Sequence, residues 1–374
     1  ETFAKRLGQK PTEEIEILTV NNEQYLAVGF NGRHLDSFQL IGLYPLRNIE
    51  MVISQQKSNL FILGMFSILL AAGLAQILAK SFLKPLSALR EGALAIENRD
   101  FSHRINETGK DEFGEIASIF NNTMVGFEEL EVAKIVQESL FPAPDFAQNR
   151  FKIFGKSISM GELGGDYLDF FAVNENSFAL LLGDVAGHGV GAALIMAMAK
   201  TGILSSGENL ASPQTILANL HKLILASKNS RQKKIMTLQY MFINSITCEG
   251  LYANAGGCSP YIYRHSLNIV EELKIAGAPL GSFKKATFSD CQIKFNEGDA
   301  IIFYTDGIVE SRNSNGKEIG YEGLQKILCK SYSTDPQVYY QNILDEYNTH
   351  IKAQKTQDDL TIIIMVCMPN GATV

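Results

Sequence analysis

The feature that most constrains this chain is an uncharged run from Leu60 to Ala79, in which Ser67 and Gln76 are the only polar residues. Folded as a helix with a rise of about 1.5 Å per residue, the run is long enough to cross a bilayer core of about 30 Å. A buried helix of a soluble domain is the alternative, but such helices rarely continue this far without a charge. We therefore predict a transmembrane helix over residues 58–80, with the lipid bilayer as a partner.

The charges beside this run predict its orientation. Basic residues follow it closely, which places its C-terminal side in the cytoplasm; they are Lys80, Lys84, Arg90 and Arg99. Residues 1–57 would then lie outside the cytoplasm. Two strand-like stretches there, Gln24 to Phe30 and Phe38 to Tyr44, flank the turn signal Asn31-Gly32. We expect this part to be the C-terminal remnant of an extracytoplasmic sensor domain.

Two amphipathic stretches follow, from about Pro85 to Glu97 and from Asp111 to Leu130. The second has the spacing of a heptad seam, which suits a parallel coiled coil or a helical bundle. The seam residues are Phe113, Ile116, Phe120, Thr123, Phe127 and Leu130. Near Lys134 the repeat changes phase, and such a break locally overwinds or unwinds a coiled coil.

These two helices resemble a HAMP domain, the two-helix relay that follows the transmembrane segments of bacterial sensors. The resemblance rests on Lys84-Pro85-Leu86 at the start of the first helix. It also rests on Asp111-Glu112-Phe113-Gly114-Glu115-Ile116 at the start of the second. The resemblance implies a HAMP domain over residues 81–131 and a coiled-coil or switch-helix linker over residues 132–146. We expect a homodimer through the transmembrane helix, the HAMP domain and the coiled coil.

The remaining residues, 147–374, alternate strands and helices, with strand after strand in the middle and the helices grouped before and after. This order predicts an α+β fold of two stacked, mostly antiparallel sheets with helices outside, rather than a parallel sheet. The net charge of -7, with no long basic block, argues against nucleic acid as a partner. The five cysteines are scattered without a CxxC pair, so they provide no zinc or disulfide framework.

Carboxylates stand at four strand ends in this region, each beside glycine or turn residues. They are Asp166, Asp184, Asp306 and the pair Asp358-Asp359. If the fold gathers them, their repulsion must be relieved by protonation or by cations, and hard oxygen ligands favour Mg or Mn. Each aspartate alone is more often an exposed turn residue. Together they favour a site in which two ions hold a bridging water and clamp a phosphoryl group.

Five motifs in this region resemble, in order, those of the SpoIIE/RsbU branch of the PPM metal-dependent protein serine/threonine phosphatases. They are Gly164-Gly165-Asp166-Tyr167-Leu168-Asp169, Gly183-Asp184-Val185-Ala186-Gly187-His188-Gly189, Asn254-Ala255-Gly256-Gly257, Tyr304-Thr305-Asp306-Gly307 and Asp358-Asp359-Leu360-Thr361. The resemblance covers about residues 132–374. It implies an α/β/β/α sandwich and a phosphatase that uses two Mn²⁺ or Mg²⁺ ions.

The resemblance also implies roles for individual residues. Asp184 would bridge the two ions, and Val185 would offer its backbone carbonyl to one of them. Asp306 and Asp358 would complete the second ion, so that Asp184, Asp306 and Asp358 form the catalytic set. Asp166 would be an accessory ligand beside the cluster. Asp359 would be a further metal ligand, at a position where other branches of the superfamily carry Asn.

Three further positions are candidates for binding the substrate. These are Gly165, His188 and Asn254. His188 could act as a general acid, although a structural role after the glycine turn is an equal alternative. Where the family usually has His after Asn254-Ala255-Gly256, this chain has Gly257-Cys258; we predict a packed thiol there rather than a nucleophile. No arginine for the phosphate is evident near Gly164, which would leave phosphate recognition to the metal ions.

The sequence therefore predicts a sensor phosphatase of the bacterial cytoplasmic (inner) membrane, with the phosphatase domain in the cytoplasm. By resemblance, its substrate would be a phosphorylated STAS-domain protein of the anti-anti-sigma type, and its output would be gated through the HAMP and switch helices. The alternative is a pseudophosphatase that only binds its partner. The presence of Asp184, Asp306 and Asp358 argues against a degenerate site.

Overall fold

The structure is a computed structural model that describes residues 15–31, 39–106, 109–158, 163–227, 234–352 and 358–369. The chain divides into two compact units, Glu1–Asn121 and Asn122–Val374.

The first unit begins with a three-stranded antiparallel sheet. Its strands are β1 (Glu16–Val20), β2 (Glu23–Asn31) and β3 (Gln39–Pro45). β2 and β3 are the pair that the sequence predicted, whereas β1 was not predicted. Gly32 of the predicted hairpin turn lies outside the described residues.

A long helical stretch follows the sheet. It consists of α1 (Leu46–Leu78), a π-helical segment (Ala79–Leu83) and α2 (Lys84–Glu97). Pro85 directly follows the π-helical segment, and because proline has no N–H it cannot donate a backbone hydrogen bond to the preceding helical turn. The described residues contain one helical stretch long and apolar enough to cross a membrane, Leu46–Glu97, and none of its most apolar window is buried.

The connector after α2 packs between helices. A Cβ on Gly92 would lie 2.8 Å from Ile105 Cδ1 and 2.9 Å from Phe120 Cζ. Glycine at this position therefore lets α2 pack closely against these two side chains. The Asn121 side chain accepts from Ile105 N at 2.9 Å and donates to Ile105 O at 2.8 Å. Asn121 belongs to α3 (Glu112–Ser139), which continues as one helix through the predicted phase break at Lys134.

The second unit contains two antiparallel sheets. The six-stranded sheet has the order β11-β10-β13-β14-β5-β4, and the five-stranded sheet has the order β12-β9-β8-β7-β6. The strands are β4 (Asp145–Gln148), β5 (Phe151–Ile158), β6 (Asp166–Asn174), β7 (Ser177–Val185), β8 (Met236–Asn244), β9 (Glu249–Ala255), β10 (Tyr261–Arg264), β11 (Ile269–Glu272), β12 (Asp290–Lys294), β13 (Ala300–Tyr304) and β14 (Leu360–Cys367). The helices are α4 (Val190–Leu204), a 3-10 turn (Gly207–Ala211), α5 (Pro213–Ser227), α6 (Asp306–Glu310), α7 (Gly320–Ser331) and α8 (Pro336–Ile351).

The core has three layers, because the central strands are buried on both faces. In β7, Phe178, Leu180 and Leu182 pack between the two sheets. The alternate residues Ala179 and Leu181 pack against α4 and α5 on the outer side. The opposite outer layer is formed by the six-stranded sheet and the helices α7 and α8. The predicted α/β/β/α sandwich is confirmed, and continuous apolar runs such as β7 are the sequence signature of strands covered on both sides.

Three short elements of this unit were not predicted, namely β4, the 3-10 turn (Gly207–Ala211) and α6. β4 starts at Asp145, inside the predicted linker, and α3 ends at Ser139 before Pro142 and Pro144. β4 is a four-residue edge strand with only partly buried side chains, so it carries little apolar signal. α6 is a single turn of helix that starts at Asp306 itself.

Candidate metal-dependent active site

Two carboxylates lie opposite each other on the neighbouring strands β6 and β7 of the five-stranded sheet. The register pairs Asp166, the first residue of β6, with Asp184 near the end of β7. Directly opposed residues in an antiparallel pair have Cβ atoms about 4.5–5.5 Å apart. After Asp184 the chain turns into α4 through Gly187 and Gly189, whose φ angles of 85° and 84° are costly for residues with a side chain.

The six-stranded sheet brings its own carboxylates to the same end. β13 and β14 are paired neighbours, with Tyr304 opposite Ile362, so Asp306 leaves one strand where Asp358 and Asp359 enter the other. A Cβ on Gly307 would lie 2.1 Å from the carbonyl oxygen of Asp359, so this backbone approach requires glycine.

Hydrogen bonds join the two sheets at this end. Asp166 accepts through Oδ2 from Thr305 Oγ1 at 3.1 Å and also from Thr361 Oγ1. In the opposite direction, Gly165 N donates to Asp359 Oδ2 at 3.0 Å. Asp166 is buried, and these bonds link it to the six-stranded sheet. All five predicted aspartates therefore come together where the two sheets meet.

Burial and mutual repulsion raise the pKa values of these aspartates. Burial, together with the negative charges of Asp306 and the Asp358-Asp359 pair, raises the pKa of Asp184 to about 6. Burial raises the pKa of Asp306 as well, and the charge of Asp358 acts in the same direction. Burial raises the pKa of Asp166 well above its ordinary value. The site concentrates negative charge without an equal number of cationic side chains, which is the condition that favours binding of cations.

Gly165 also permits close packing in the site. A Cβ at this position would lie 2.7 Å from Val185 O, 2.9 Å from Asp184 Oδ1 and 3.0 Å from Gly187 O. The Val185 carbonyl and the Asp184 carboxylate therefore both lie beside Gly165. Any side chain at Gly165 would displace one of them.

The chemistry of this donor set fits divalent Mg or Mn, because it consists of carboxylate oxygens and a backbone carbonyl. Across the described ranges, no three acidic, histidine or cysteine side chains already enclose a point where an ion could bind. The carboxylates repel one another, as their raised pKa values indicate, and a cation would offset that repulsion. The roles of Asp166, Asp184, Val185, Asp306, Asp358 and Asp359 as ligands remain predictions.

The other predicted residues lie at different depths. His188 is exposed in the turn before α4. Asn254 is buried and closes its own turn, since its side chain accepts from Gly257 N at 2.8 Å and donates to Gly257 O at 3.0 Å. A cavity of about 50 Å³ beside Asp184 and Asp306 is lined in part by Gly257 and Cys258. Contacts of Gly165, His188 and Asn254 with substrate remain predictions.

Cys258 has the environment of a packed thiol. Burial raises its pKa to about 12, and the negative charge of Asp306 acts in the same direction. Because the thiolate is the reactive form of cysteine, this environment opposes a nucleophilic role.

Sequence reasoning missed three polar residues around the site. Lys234 donates from Nζ to Ala186 O at 3.0 Å, in the turn after Asp184. Gln137 of α3 is buried and donates to Gly164 O at 2.9 Å. Lys200 of α4 forms a 2.9 Å ion pair with the buried Asp169 and also donates to Leu140 O. The only sequence signal was a polar residue on an otherwise apolar helix or just before a strand, which does not identify a partner.

Comparison with known families agrees with this geometry. Residues 174–367, more than half of the chain, match the family model described as Stage II sporulation protein E (SpoIIE). The chain belongs to the SpoIIE family. A HAMP domain model matches residues 77–126, so the SpoIIE domain follows a HAMP domain, as the sequence predicted.

Two known proteins and one solved structure are similar to much of this chain. The phosphoserine phosphatase RsbU of Bacillus subtilis (strain 168) is 28% identical over 239 residues, which are 63% of this chain and 69% of RsbU. Protein IcfG of Synechocystis is 25% identical over 314 residues, which are 72% of this chain but 49% of IcfG. The SiaA-PP2C domain of Pseudomonas aeruginosa superposes with a TM-score of 0.56 at 18% identity, covering 65% of this chain and 96% of that domain. The SpoIIE domain of this chain therefore has the PP2C fold.

Proposed function

We propose that this protein is a membrane-anchored, metal-dependent phosphatase that hydrolyses phosphoserine or phosphothreonine on a regulatory protein. The observation that carries the proposal is the convergence of five aspartates at the joined ends of the two sheets. Membership of the SpoIIE family and the similarity to a phosphoserine phosphatase support the same reaction.

The residues of the site would have two different roles, metal binding and the positioning of the two sheets. Asp184, Asp306 and Asp358, with the Val185 carbonyl, would hold two Mn²⁺ or Mg²⁺ ions. Bound there, the ions would lower the pKa of a water molecule and offset the charge of the phosphoryl group. Asp166 fixes the two sheets against each other through its bonds to Thr305 and Thr361.

The substrate that this proposal favours is a phosphorylated STAS-domain protein of a sigma-factor regulatory pathway. The support is the similarity of this chain to the phosphoserine phosphatase RsbU. Membrane anchoring is supported by the helical stretch Leu46–Glu97 and by the HAMP domain directly after its apolar part. The seam of α3 supports a homodimer.

Control of activity would pass through the end of α3. Gln137 bonds to the backbone directly before Gly165, and Leu140 accepts from Lys200 of α4. α4 starts at the turn that follows Asp184. A rotation or shift of α3 would therefore change contacts on both sides of the Asp166–Asp184 pair.

The test of the reaction compares the full chain in detergent with two variants. With Mn²⁺, the native protein should hydrolyse p-nitrophenyl phosphate and a phosphorylated STAS-domain protein. Asp184→Asn should lower kcat by at least about a hundredfold, whereas Asp145→Asn, an exposed aspartate of the edge strand β4, should not. Equal Mn²⁺-dependent rates for native protein and Asp184→Asn would refute the metal site. No hydrolysis by either, with retained binding of the phosphoprotein, would favour the pseudophosphatase.

A further inference from the structure

Lys234 places a positive charge beside the acidic site. It lies two residues before Met236, which pairs with Val185 at the end of β7. Its neighbour Ile235 accepts from Ala186 N at 3.0 Å, so the backbone before β8 is bonded to the turn that follows Asp184. The side chain of Lys234 then returns to the same turn, with Nζ 3.0 Å from Ala186 O.

The lysine side chain lies along the turn and does not point away from the protein. A Cβ on Gly187 would be 3.0 Å from Nζ, and a Cβ on Gly191 would be 3.5 Å from Cε of the lysine. The turn leaves room for this side chain because Gly187 and Gly191 have none. Lys234 is half-buried, so its ammonium group is held in place while still reachable from solvent.

The ammonium group of Lys234 keeps hydrogen-bonding capacity beyond its contact with the turn. An ammonium group has three N–H donors, and the bond to Ala186 O uses one of them. The remaining donors suit an oxyanion that carries more than one negative oxygen.

We propose that Lys234 is a phosphate-binding residue, which contacts the phosphoryl group of the substrate at the rim of the aspartate cluster. A phosphomonoester is a dianion, and five neighbouring aspartates oppose its approach. An ammonium group held against the turn that follows Asp184 supplies an attraction for that dianion. This inference rests on the proposed phosphatase function, and it would supply a cationic contact for the phosphate that no arginine near Gly164 provides.

The kinetic test uses the full chain in detergent with Mn²⁺ and three variants. Lys234→Met should raise both KM for p-nitrophenyl phosphate and Ki for inorganic phosphate about tenfold or more, the scale of one charge-assisted hydrogen bond. Lys234→Arg should restore most of both. The matched control is Lys294→Met, since Lys294 is exposed and pairs with Glu249, at the end of β9 opposite to Asn254. Mn²⁺ affinity measured by calorimetry and the Tm should be the same in Lys234→Met as in that control.

A second readout does not depend on turnover. Inorganic phosphate should protect Lys234, and not Lys294, from trace acetylation of the Mn²⁺-loaded protein, as measured by mass spectrometry. A Ki for phosphate that is equal in Lys234→Met and Lys294→Met would overturn the inference, as would unprotected acetylation of Lys234. A rise in Ki that merely follows a loss of Mn²⁺ or of Tm would assign Lys234 a structural role instead. If the native protein hydrolyses nothing, the phosphatase proposal fails, and the protection experiment still decides whether Lys234 binds phosphate.

Discussion

At the scale of single residues, the site is built from close backbone approaches as much as from carboxylates. Gly165 lies against the Val185 carbonyl and the Asp184 carboxylate, and Gly307 lies against the backbone of Asp359. These contacts fix the positions of the carbonyl and carboxylate oxygens of the site. Its geometry therefore depends on the glycines as well as on the aspartates beside them.

Gly165→Ala should disable the site while the domain still folds. The added Cβ would meet Val185 O at 2.7 Å and Asp184 Oδ1 at 2.9 Å, so one of them must move. We expect a loss of about 1–3 kcal/mol in the free energy of unfolding and at least tenfold weaker Mn²⁺ binding, roughly the cost of overpacking. Chemical denaturation and calorimetry measure the two effects.

The matched control is Gly126→Ala in α3, where no heavy atom lies within 4 Å of the new Cβ. In a helix this change should be neutral or stabilise by up to about 1 kcal/mol. Unchanged Mn²⁺ affinity in Gly165→Ala would contradict the assigned packing of the site.

Cys258 should be dispensable for catalysis and slow to react. Its pKa of about 12 keeps the thiol protonated at neutral pH, and the thiolate would become the main form only above about pH 12. Cys258→Ala should keep kcat within about threefold of the native value, by the small effect expected of a residue outside the chemistry. Iodoacetamide should label it far more slowly at pH 8 than an unfolded control peptide. A hundredfold loss of kcat would instead assign the thiol a role in the reaction.

At the scale of secondary-structure elements, the proposed control of activity would pass through α3. The structure keeps it helical from Glu112 to Ser139, so a phase break in the seam does not interrupt the helix. Its last turn carries Gln137, which bonds to Gly164 O. A rigid helix can transmit rotation or translation over its whole length, whereas a flexible linker cannot.

Insertions near Lys134 should change phosphatase activity according to their length. Two or three added residues rotate the end of α3 by a large fraction of a turn, and they would break the Gln137–Gly164 bond or force a new register. Seven added residues restore the heptad phase and should leave activity closer to that of the native chain. The measurements are Mn²⁺-dependent hydrolysis and the Tm of the full chain. The same activity at every length would reject the relay.

At the scale of the whole molecule, the chain combines a long apolar helix, a HAMP domain and a SpoIIE domain. The apolar residues of α1 are exposed along its length, among them Leu60, Phe61, Leu69 and Leu70. An apolar surface of this extent suits a helix in lipid and supports the proposed membrane anchoring. In that proposal, the basic residues after Ala79 would place the C-terminal side of the helix in the cytoplasm.

Membrane insertion should depend on the apolar run itself. Leu69→Arg combined with Leu70→Arg should abolish integration, because each arginine at the centre of a span costs about 2.5–3.5 kcal/mol. The paired change of both leucines to Ile is the control and should insert normally. Carbonate extraction of bacterial membranes, followed by protease accessibility of the SpoIIE domain, measures integration and orientation. Recovery of the native chain in the soluble fraction would contradict the predicted span.

The sequence by itself determined much of the architecture, because local patterns report burial. Runs such as Phe178–Leu182 and Ile362–Val366 are apolar at every position, and the structure buries both faces of these strands between two layers. The order of strands and helices predicted two stacked sheets with helices outside. The carboxylates at strand ends predicted the five aspartates that the structure brings together.

Only the tertiary structure decided which groups meet across the two sheets. The bonds of Asp166 to Thr305 and Thr361 join residues 139 and 195 positions apart, and no local pattern encodes such a pairing. The same holds for Lys234, whose side chain reaches the turn after Asp184 only because β8 pairs with β7. Spacing in the sequence reports which face of an element is buried, whereas strand register and sheet stacking decide which side chains share a site.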